Sequence, residues 1–545
     1  MRVQNISFAA GATPEAQPLA LKPGRITLFI GPNNGGKSQA LRDIASKFTG
    51  HFSGVVLSDV SVAPFLDDDL DSKIEWLSRP KNPGEDPNPE VVPLGRRGNY
   101  QLINKTALRQ FSDSQANYHM YAQWFLRHLI INLGGENRLQ LASATSSTPI
   151  REPATSTISL LLRNDPLRKS LSEIVFESFG QYLVIDPTAM SSVQYSLSSE
   201  MPDNPDVERS FTEAAAKFFD KAQPLGNASD GTKAFVGIMS EVMAGDHEVL
   251  LIDEPEAFLH PSLAYSLGKE ISRHLGSSKQ LFAATHSPHF MMGCVDSGVD
   301  VDIIRLTHSP SVSSARSLPR DDLKTITTDP LLKSIGVTSA LFYQEAIVCE
   351  ADADRAFYAE IASRLNDKRG FRHAAFLNGY GKHTMPRIVE ALRSLGIPTV
   401  GIMDLDWIKE DGAVVENYMS GFGVPEGMKE AFRSARRAVR SSLERADERY
   451  KRNGGLAVLS GDEKRAAENF VAMAKQYGIF TVEGGELEHW LAELSVSRTK
   501  TRWLQEIFFA LGSDPTLADY VPAGEGDVWG FLGEIGLWLA TARST

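Results

Sequence analysis

The stretch FIGPNNGGKSQAL, Phe29 to Leu41, decides how the first half of the chain folds. It sets Gly31, Gly36, Lys37 and Ser38 in the pattern G-x-x-x-x-G-K-[ST], with Asn34 inside the loop, directly behind the apolar run RITLFI and ahead of a helical pattern. A strand that turns through glycines into a helix aims backbone N–H groups and the positive helix end at one point, which suits phosphate oxygens. The spacing assigns Lys37 to the β- and γ-phosphates of ATP and Ser38 to the accompanying Mg²⁺.

VLLIDEPEAFLHP (249–261) supplies the complement. Its apolar strand delivers Asp253 to the magnesium, and Glu254 next in line is placed to orient the water that attacks the γ-phosphate. NASDGTKAF (227–235) offers Ser229 and Gly231 as an S-x-G motif, and AATHSPHF (283–290) ends a strand with His286, a γ-phosphate contact. In this order the four pieces resemble the ATP-binding-cassette ATPases, especially the SMC-like and RecF-like branch with LHP after the acidic pair. In that family the serine motif of one subunit closes over the nucleotide of the other. The resemblance therefore implies a homodimer or higher oligomer assembled through the ATPase domain. The family's glutamine loop has no clear counterpart in the sequence.

A second set of strand-like runs follows: AIVCE (346–350), AAFLNG (374–379) and TVGIMDLD (399–406). Glu350 ends the first, Asp354 falls one helical turn later, and Asp404 and Asp406 end the third. Right-handed crossovers bring such residues out on one edge of a parallel sheet, where open α/β folds collect their sites. Carboxylates crowded there repel unless a cation neutralises them, and all-oxygen ligands favour Mg²⁺ or Mn²⁺ over zinc. Singly, D-x-D or E-x-x-x-D marks no more than a solvated turn; their placement on two strands of one unit gives them meaning.

This layout resembles the TOPRIM domain, and an SMC-like ATPase followed by TOPRIM resembles the OLD family of nucleases, with relatives among Gabija-type and retron-associated antiphage effectors. By motif position the resemblance makes Glu350, Asp354, Asp404 and Asp406 metal ligands, with Glu350 and Asp404 catalytic. It adds Glu486 and Glu488 of EGGELEHWL as downstream acids and Lys500, with Arg502 as fallback, as the late basic residue. Ala351 replaces the glycine that usually follows the TOPRIM glutamate, which puts the turn in question. Two metals would activate water for direct phosphodiester hydrolysis; nothing marks a nucleophilic tyrosine.

The fold class expected is α/β: an ABC-type P-loop ATPase domain over 1–340, with a mostly helical insertion at about 60–225 serving dimerisation, then a C-terminal TOPRIM domain with a parallel sheet over 341–545. Two distant cysteines and the lack of a basic-plus-apolar leader fit a reducing cytoplasm, and no run of about eighteen apolar residues suggests a membrane span. A net charge of −12 argues against a globally basic nucleic-acid binder. One segment, 429–452, departs from this with nine Lys/Arg against four Asp/Glu. It reads either as a docked surface helix or as a phosphate-tracking helix using Arg433, Arg436 and Arg440.

These readings converge on an ATP-regulated, metal-dependent DNA endonuclease or nickase, with antiphage defence and a partner protein or RNA implied by resemblance alone. The alternatives are a DNA repair or sensing ATPase whose TOPRIM domain is a binding module, and a nuclease acting on RNA.

Overall fold

The computed structural model describes residues 2–544 apart from 14, 66, 150, 203, 309–312, 335, 366–370 and 372. The chain forms two compact units, Met1–Ser317 and Leu318–Thr545. The division falls ahead of the boundary expected near residue 340, because the helices Arg320–Thr328, Pro330–Ser334 and Val337–Ala340 pack within the second unit.

The first unit is built on a six-stranded sheet. Its order is Ser313–Ser317, Asp302–His308, Ile26–Ile30, Gln280–Ala284, Val249–Asp253 and Ile130–Leu133, and only the Ser313–Ser317 edge runs antiparallel. Ile26–Ile30 and Gln280–Ala284, apolar apart from Thr27 and Gln280, are buried along their whole length, as strands of a parallel sheet covered on both faces are. The helix Lys37–Thr49 lays Ala40, Leu41, Ile44 and Phe48 into a core with Phe29, Leu251 and Phe282.

The interval 60–225 is mixed rather than mostly helical. It holds the hairpin Val91–Arg96/Asn99–Asn104 and the antiparallel pair Tyr182–Asp186/Ser192–Ser198, besides the core strand Ile130–Leu133. In YLVID and SVQYSLS the branched and aromatic side chains pack on a pleated surface, and that packing outweighs the helix-like patches around them. The helix Asp67–Leu77 leaves Asp68, Asp69 and Asp71 exposed to solvent while Leu70, Ile74 and Leu77 reach the core.

The second unit carries a four-stranded, all-parallel sheet in the order Ala374–Asn378, Glu345–Cys349, Thr399–Asp404, Ile479–Val482. Ile347, Cys349, Val400, Ile402, Phe480 and Val482 form its core with Phe357, Trp503 and Leu532. Because all four strands run the same way, their carboxyl ends share one edge. Among the described residues, no helix is long and apolar enough to cross a membrane.

Candidate functional site

At the Gly31–Ser38 loop the backbone turns through left-handed conformations. Gly31 has φ +128°, and a Cβ there would lie 2.1 Å from the Leu306 carbonyl oxygen, so no other residue fits. Asn34 adopts φ +62°, a region asparagine tolerates. The Lys37 ammonium donates to the carbonyls of Gly31 at 2.8 Å and Pro32 at 2.7 Å, and burial lowers its pKa to about 8. Ser38 Oγ donates to Asp253 Oδ1 at 2.9 Å. The two residues assigned to magnesium thus meet across two strands that are not neighbours, with Gln280–Ala284 lying between them.

Glu254 adopts φ +52°, a strained conformation for a side chain this size, and its N–H donates to the Ala284 carbonyl at 2.8 Å. Arg138, which sequence reading missed, secures the turn. Its guanidinium donates to the carbonyls of Asp253 (2.6 Å), Glu254 and Gly134 (3.2 Å), a buried cation spent on backbone rather than on a counter-ion. The His286 imidazole stands 3.6 Å from Glu254, and burial lowers its pKa, which favours the neutral ring. Glu256, also unforeseen, accepts from His286 N–H at 2.7 Å and Thr285 Oγ1 at 2.8 Å and so orients the histidine turn.

Gly31, Asn34, Gly36, Lys37, Ser38, Asp253, Glu254 and His286 therefore gather at one end of the sheet. Ser229 and Gly231 are placed differently. Ser229 caps the helix Asp230–Ala244, and a Cβ on Gly231 would lie 2.6 Å from the Phe258 carbonyl oxygen, so the motif packs on the turn that follows Glu254.

In the second unit, Glu350 stands at the end of its strand and accepts the Asp404 N–H at 3.3 Å, which fixes two strand ends together. Ala351 has φ −136°, extended backbone that alanine adopts freely, so loss of the glycine does not distort the turn. Asp354 lies in the first turn of the helix Asp352–Arg364. Burial, then the nearby Asp404 and Glu350, push its pKa up to about 7. Burial raises Glu350 and Asp404 as well. For Asp406 burial acts the same way, but Lys451 and Lys382 outweigh it and hold that carboxyl low. Asp352 is exposed and pairs with Arg355 at 2.7 Å, outside the cluster.

Two lysines at this edge carried no role in the sequence reading. Lys451 Nζ lies 3.0 Å from Asp404 Oδ2, 3.1 Å from Asp406 Oδ2 and 3.6 Å from Glu486 Oε1. Lys382 Nζ lies 3.5 Å from Asp406 and 2.6 Å from Glu410. Lys500 pairs with Glu486 at 3.2 Å while staying half-exposed, and Arg502 is exposed. A cavity of about 590 Å³ opens here, lined by Arg452, Glu486, Glu488, His489, Arg498 and Lys500.

The donor set fits a hard divalent cation. Asp404 Oδ1 and Asp406 Oδ1 are buried with no hydrogen-bond partner, an arrangement that costs free energy unless a cation takes them. Glu350, Asp354, Asp404, Asp406 and Glu486 would hold it, with Glu488 at the rim. As they stand, the TOPRIM carboxylates are spread more widely than one ion's ligand shell: among the described residues only Glu241, Asp246 and His247 bring three ligand atoms within 4.8 Å of one another, and there Arg97 and Thr157 already bond the Glu241 carboxylate.

Burial of Asp354, reinforced by repulsion within the cluster, has a measurable consequence. The Asp354 pKa rises from 3.8 to about 7 on folding, so the stability gained from keeping its proton is present below about pH 4 and lost as pH rises through 7. Asp354→Asn is expected to raise the melting temperature of the metal-free protein at pH 7.5 by about 3–8 °C. The gain should shrink towards pH 4.5 and narrow when Mn²⁺ is added. Scanning fluorimetry in EDTA reads this; an unchanged or lower melting temperature at pH 7.5 contradicts it.

The basic segment takes the docked-helix form. Glu426–Ala446 is a helix that buries Phe432, Val439 and Leu443, and also Arg436. Arg436 donates to the Ile408 carbonyl at 2.6 Å and pairs with Asp411, Arg433 pairs with Glu416 and Glu430, and Arg440 with Asp411 and Glu444. Arg436 spends its donors inside the protein, which removes it from a phosphate-tracking surface, while Arg433 and Arg440 are held in ion pairs at the surface. Arg436→Ala is expected to cost about 2–4 kcal/mol in urea unfolding. A weaker, salt-dependent affinity for DNA with unchanged stability contradicts this assignment.

Two family models match. Residues 155–292 match an AAA domain grouped with the AbiEii toxin of Type IV TA systems, and residues 341–406 match the TOPRIM domain of proteins like the overcoming lysogenization defect protein. The chain joins a P-loop ATPase to an OLD-like TOPRIM domain. The second match ends on Asp406 and contains Glu350, Asp354 and Asp404. Among solved structures, an SMC head bound to the C-terminal winged-helix domain of ScpA is similar at 13% identity and TM-score 0.35, over 59% of this chain and 100% of that one. The SMC head domain from Thermotoga maritima is similar at 14% identity and TM-score 0.30, over 58% and 100%. No curated protein matches the chain.

Proposed function

We propose that this ATPase–TOPRIM chain is an ATP-regulated, divalent-metal-dependent DNA endonuclease or nickase. One observation carries the reading. Five carboxylates from separate segments converge at the carboxyl edge of the TOPRIM sheet, and two of their buried oxygens lack any partner. Mg²⁺ or Mn²⁺ bound there, two ions in the full complement, would supply an activated water and neutralise charge on the leaving oxygen.

The protein's own groups set the rest. Glu350 and Asp404 fix the two strand ends, Lys500 stands half-exposed at the mouth as the basic contact for a phosphate, and Arg452 extends the positive lining of the cavity. In the ATPase unit, Lys37, Ser38 and Asp253 would hold ATP and its Mg²⁺, with Glu254 to orient a water and His286 to contact the γ-phosphate. The resemblance to SMC-like ATPases supports a homodimer in which Ser229 and Gly231 of one protomer complete the nucleotide site of the other. ATP binding would then gate cleavage. Antiphage defence, with a partner protein or RNA, is supported by the OLD-like resemblance alone.

The test incubates purified protein with supercoiled plasmid, and separately with structured RNA, in Mg²⁺ or Mn²⁺ with and without ATP. Nicked or linear DNA with free 5′-phosphate ends is the expected result. Cleavage of RNA alone, or protein covalently attached to the ends, rejects the reading.

A further inference from the structure

The carboxylates at the TOPRIM edge do not share their neutralisation evenly. The ammonium of Lys451 sits among Asp404 Oδ2 (3.0 Å), Asp406 Oδ2 (3.1 Å) and Glu486 Oε1 (3.6 Å). That half of the cluster has further cations, Lys382 on Asp406 and Lys500 on Glu486. The other half is Glu350 and Asp354, and among the described residues neither makes an ion pair. Asp404 belongs to both, with Oδ2 on the lysine and Oδ1 buried without a partner.

We infer that Lys451 is a built-in cation occupying one of two metal positions, so the free site takes one divalent ion and a second enters only when Lys451 is drawn away. The inference rests on the metal-site reading above and deepens it. The first ion would be held by Glu350, Asp354 and Asp404, because Glu350 and Asp354 make no ion pair among the described residues and Lys451 acts on Glu350 only from a distance. A second ion on Asp404, Asp406 and Glu486 would compete for oxygens that already lie 3.0–3.6 Å from the Lys451 ammonium, and the two like charges would repel.

The backbone of Lys451 cannot give way. Gly485 adopts φ +109°, and a Cβ there would lie 2.0 Å from the Lys451 carbonyl oxygen, so the two segments are pressed together. Only the four-carbon side chain can move. A phosphodiester entering the cavity offers the ammonium an alternative anion, because Arg452, the next residue, lines that cavity. Binding of the second ion is thereby coupled to binding of nucleic acid.

Manganese stoichiometry tests this without reference to cleavage. Full-length, nucleotide-free protein carrying Asp253→Asn, which removes the ATP-site ligand, is titrated with Mn²⁺ and bound ion is read by electron paramagnetic resonance. One ion per chain is expected with Lys451 present, and two with Lys451→Met or Lys451→Gln. Lys451→Arg, which keeps the charge, should stay at one. Two ions of similar affinity with Lys451 in place overturn the inference on that measurement alone, even if a variant fails to fold. One ion in every folded variant overturns it too. Glu350→Ala separates this from the parent reading. If manganese remains bound in Glu350→Ala, the metal-site reading itself fails; if it is lost there while Lys451→Met still binds one, only the role of Lys451 fails.

Discussion

Asp404→Asn is expected to lower DNA cleavage by at least about 10³-fold while leaving ATP hydrolysis within about twofold of wild type. Asp404 is the residue on which the TOPRIM edge turns. Its N–H binds Glu350, its Oδ2 binds Lys451, and its Oδ1 is buried without a partner. An asparagine keeps the size and the backbone hydrogen bond but removes the charge that a cation needs. Because the ATPase machinery lies in the other compact unit, its turnover provides an internal control for folding. Plasmid nicking and phosphate release measured on one preparation decide the matter. Cleavage retained within tenfold of wild type contradicts the assignment of Asp404.

Glu254→Gln is expected to slow ATP hydrolysis by about 10²-fold or more with little change in ATP affinity. The side chain leaves a residue held at φ +52°, with its carbonyl pinned by Arg138 and His286 at 3.6 Å. Glutamine occupies that position without the charge that polarises a water. ATP should then remain bound, and a slowly turning dimer should become visible by size-exclusion chromatography with ATP. Nicking by this variant, compared with Lys37→Ala, reads the direction of ATP control: one mimics the occupied state and the other the empty one. Hydrolysis at the wild-type rate removes Glu254 from the mechanism.

What was legible in the sequence was what the chain writes contiguously. The loop around Lys37, the pair Asp253–Glu254 and the carboxylates at strand ends each follow an apolar run that becomes a buried parallel strand. Strand ends on one sheet edge then follow from topology rather than from any single residue. The residues that escaped are those whose partners lie far away in sequence. Arg138 reaches carbonyls at 253 and 254, and Lys451 reaches acids at 404, 406 and 486. No local spacing encodes such meetings. A weak signal existed in the glycine pairs at 454–455 and 484–485, which mark where two backbones press together. Arg436 shows the opposite failure. Its place in a basic run suggested solvent, yet it lies on the same helix face as Phe432 and Val439 and is buried with them.

The central claim is that the carboxylates at the TOPRIM edge hold the metal that breaks a phosphodiester bond. The most direct measurement is the initial rate of supercoiled-plasmid nicking as Mn²⁺ is titrated, for wild type and Glu350→Ala side by side. Saturable, metal-dependent nicking by wild type, absent from Glu350→Ala at every concentration although that variant still hydrolyses ATP, is the predicted result. Nicking by Glu350→Ala along the same manganese curve as wild type would contradict the account.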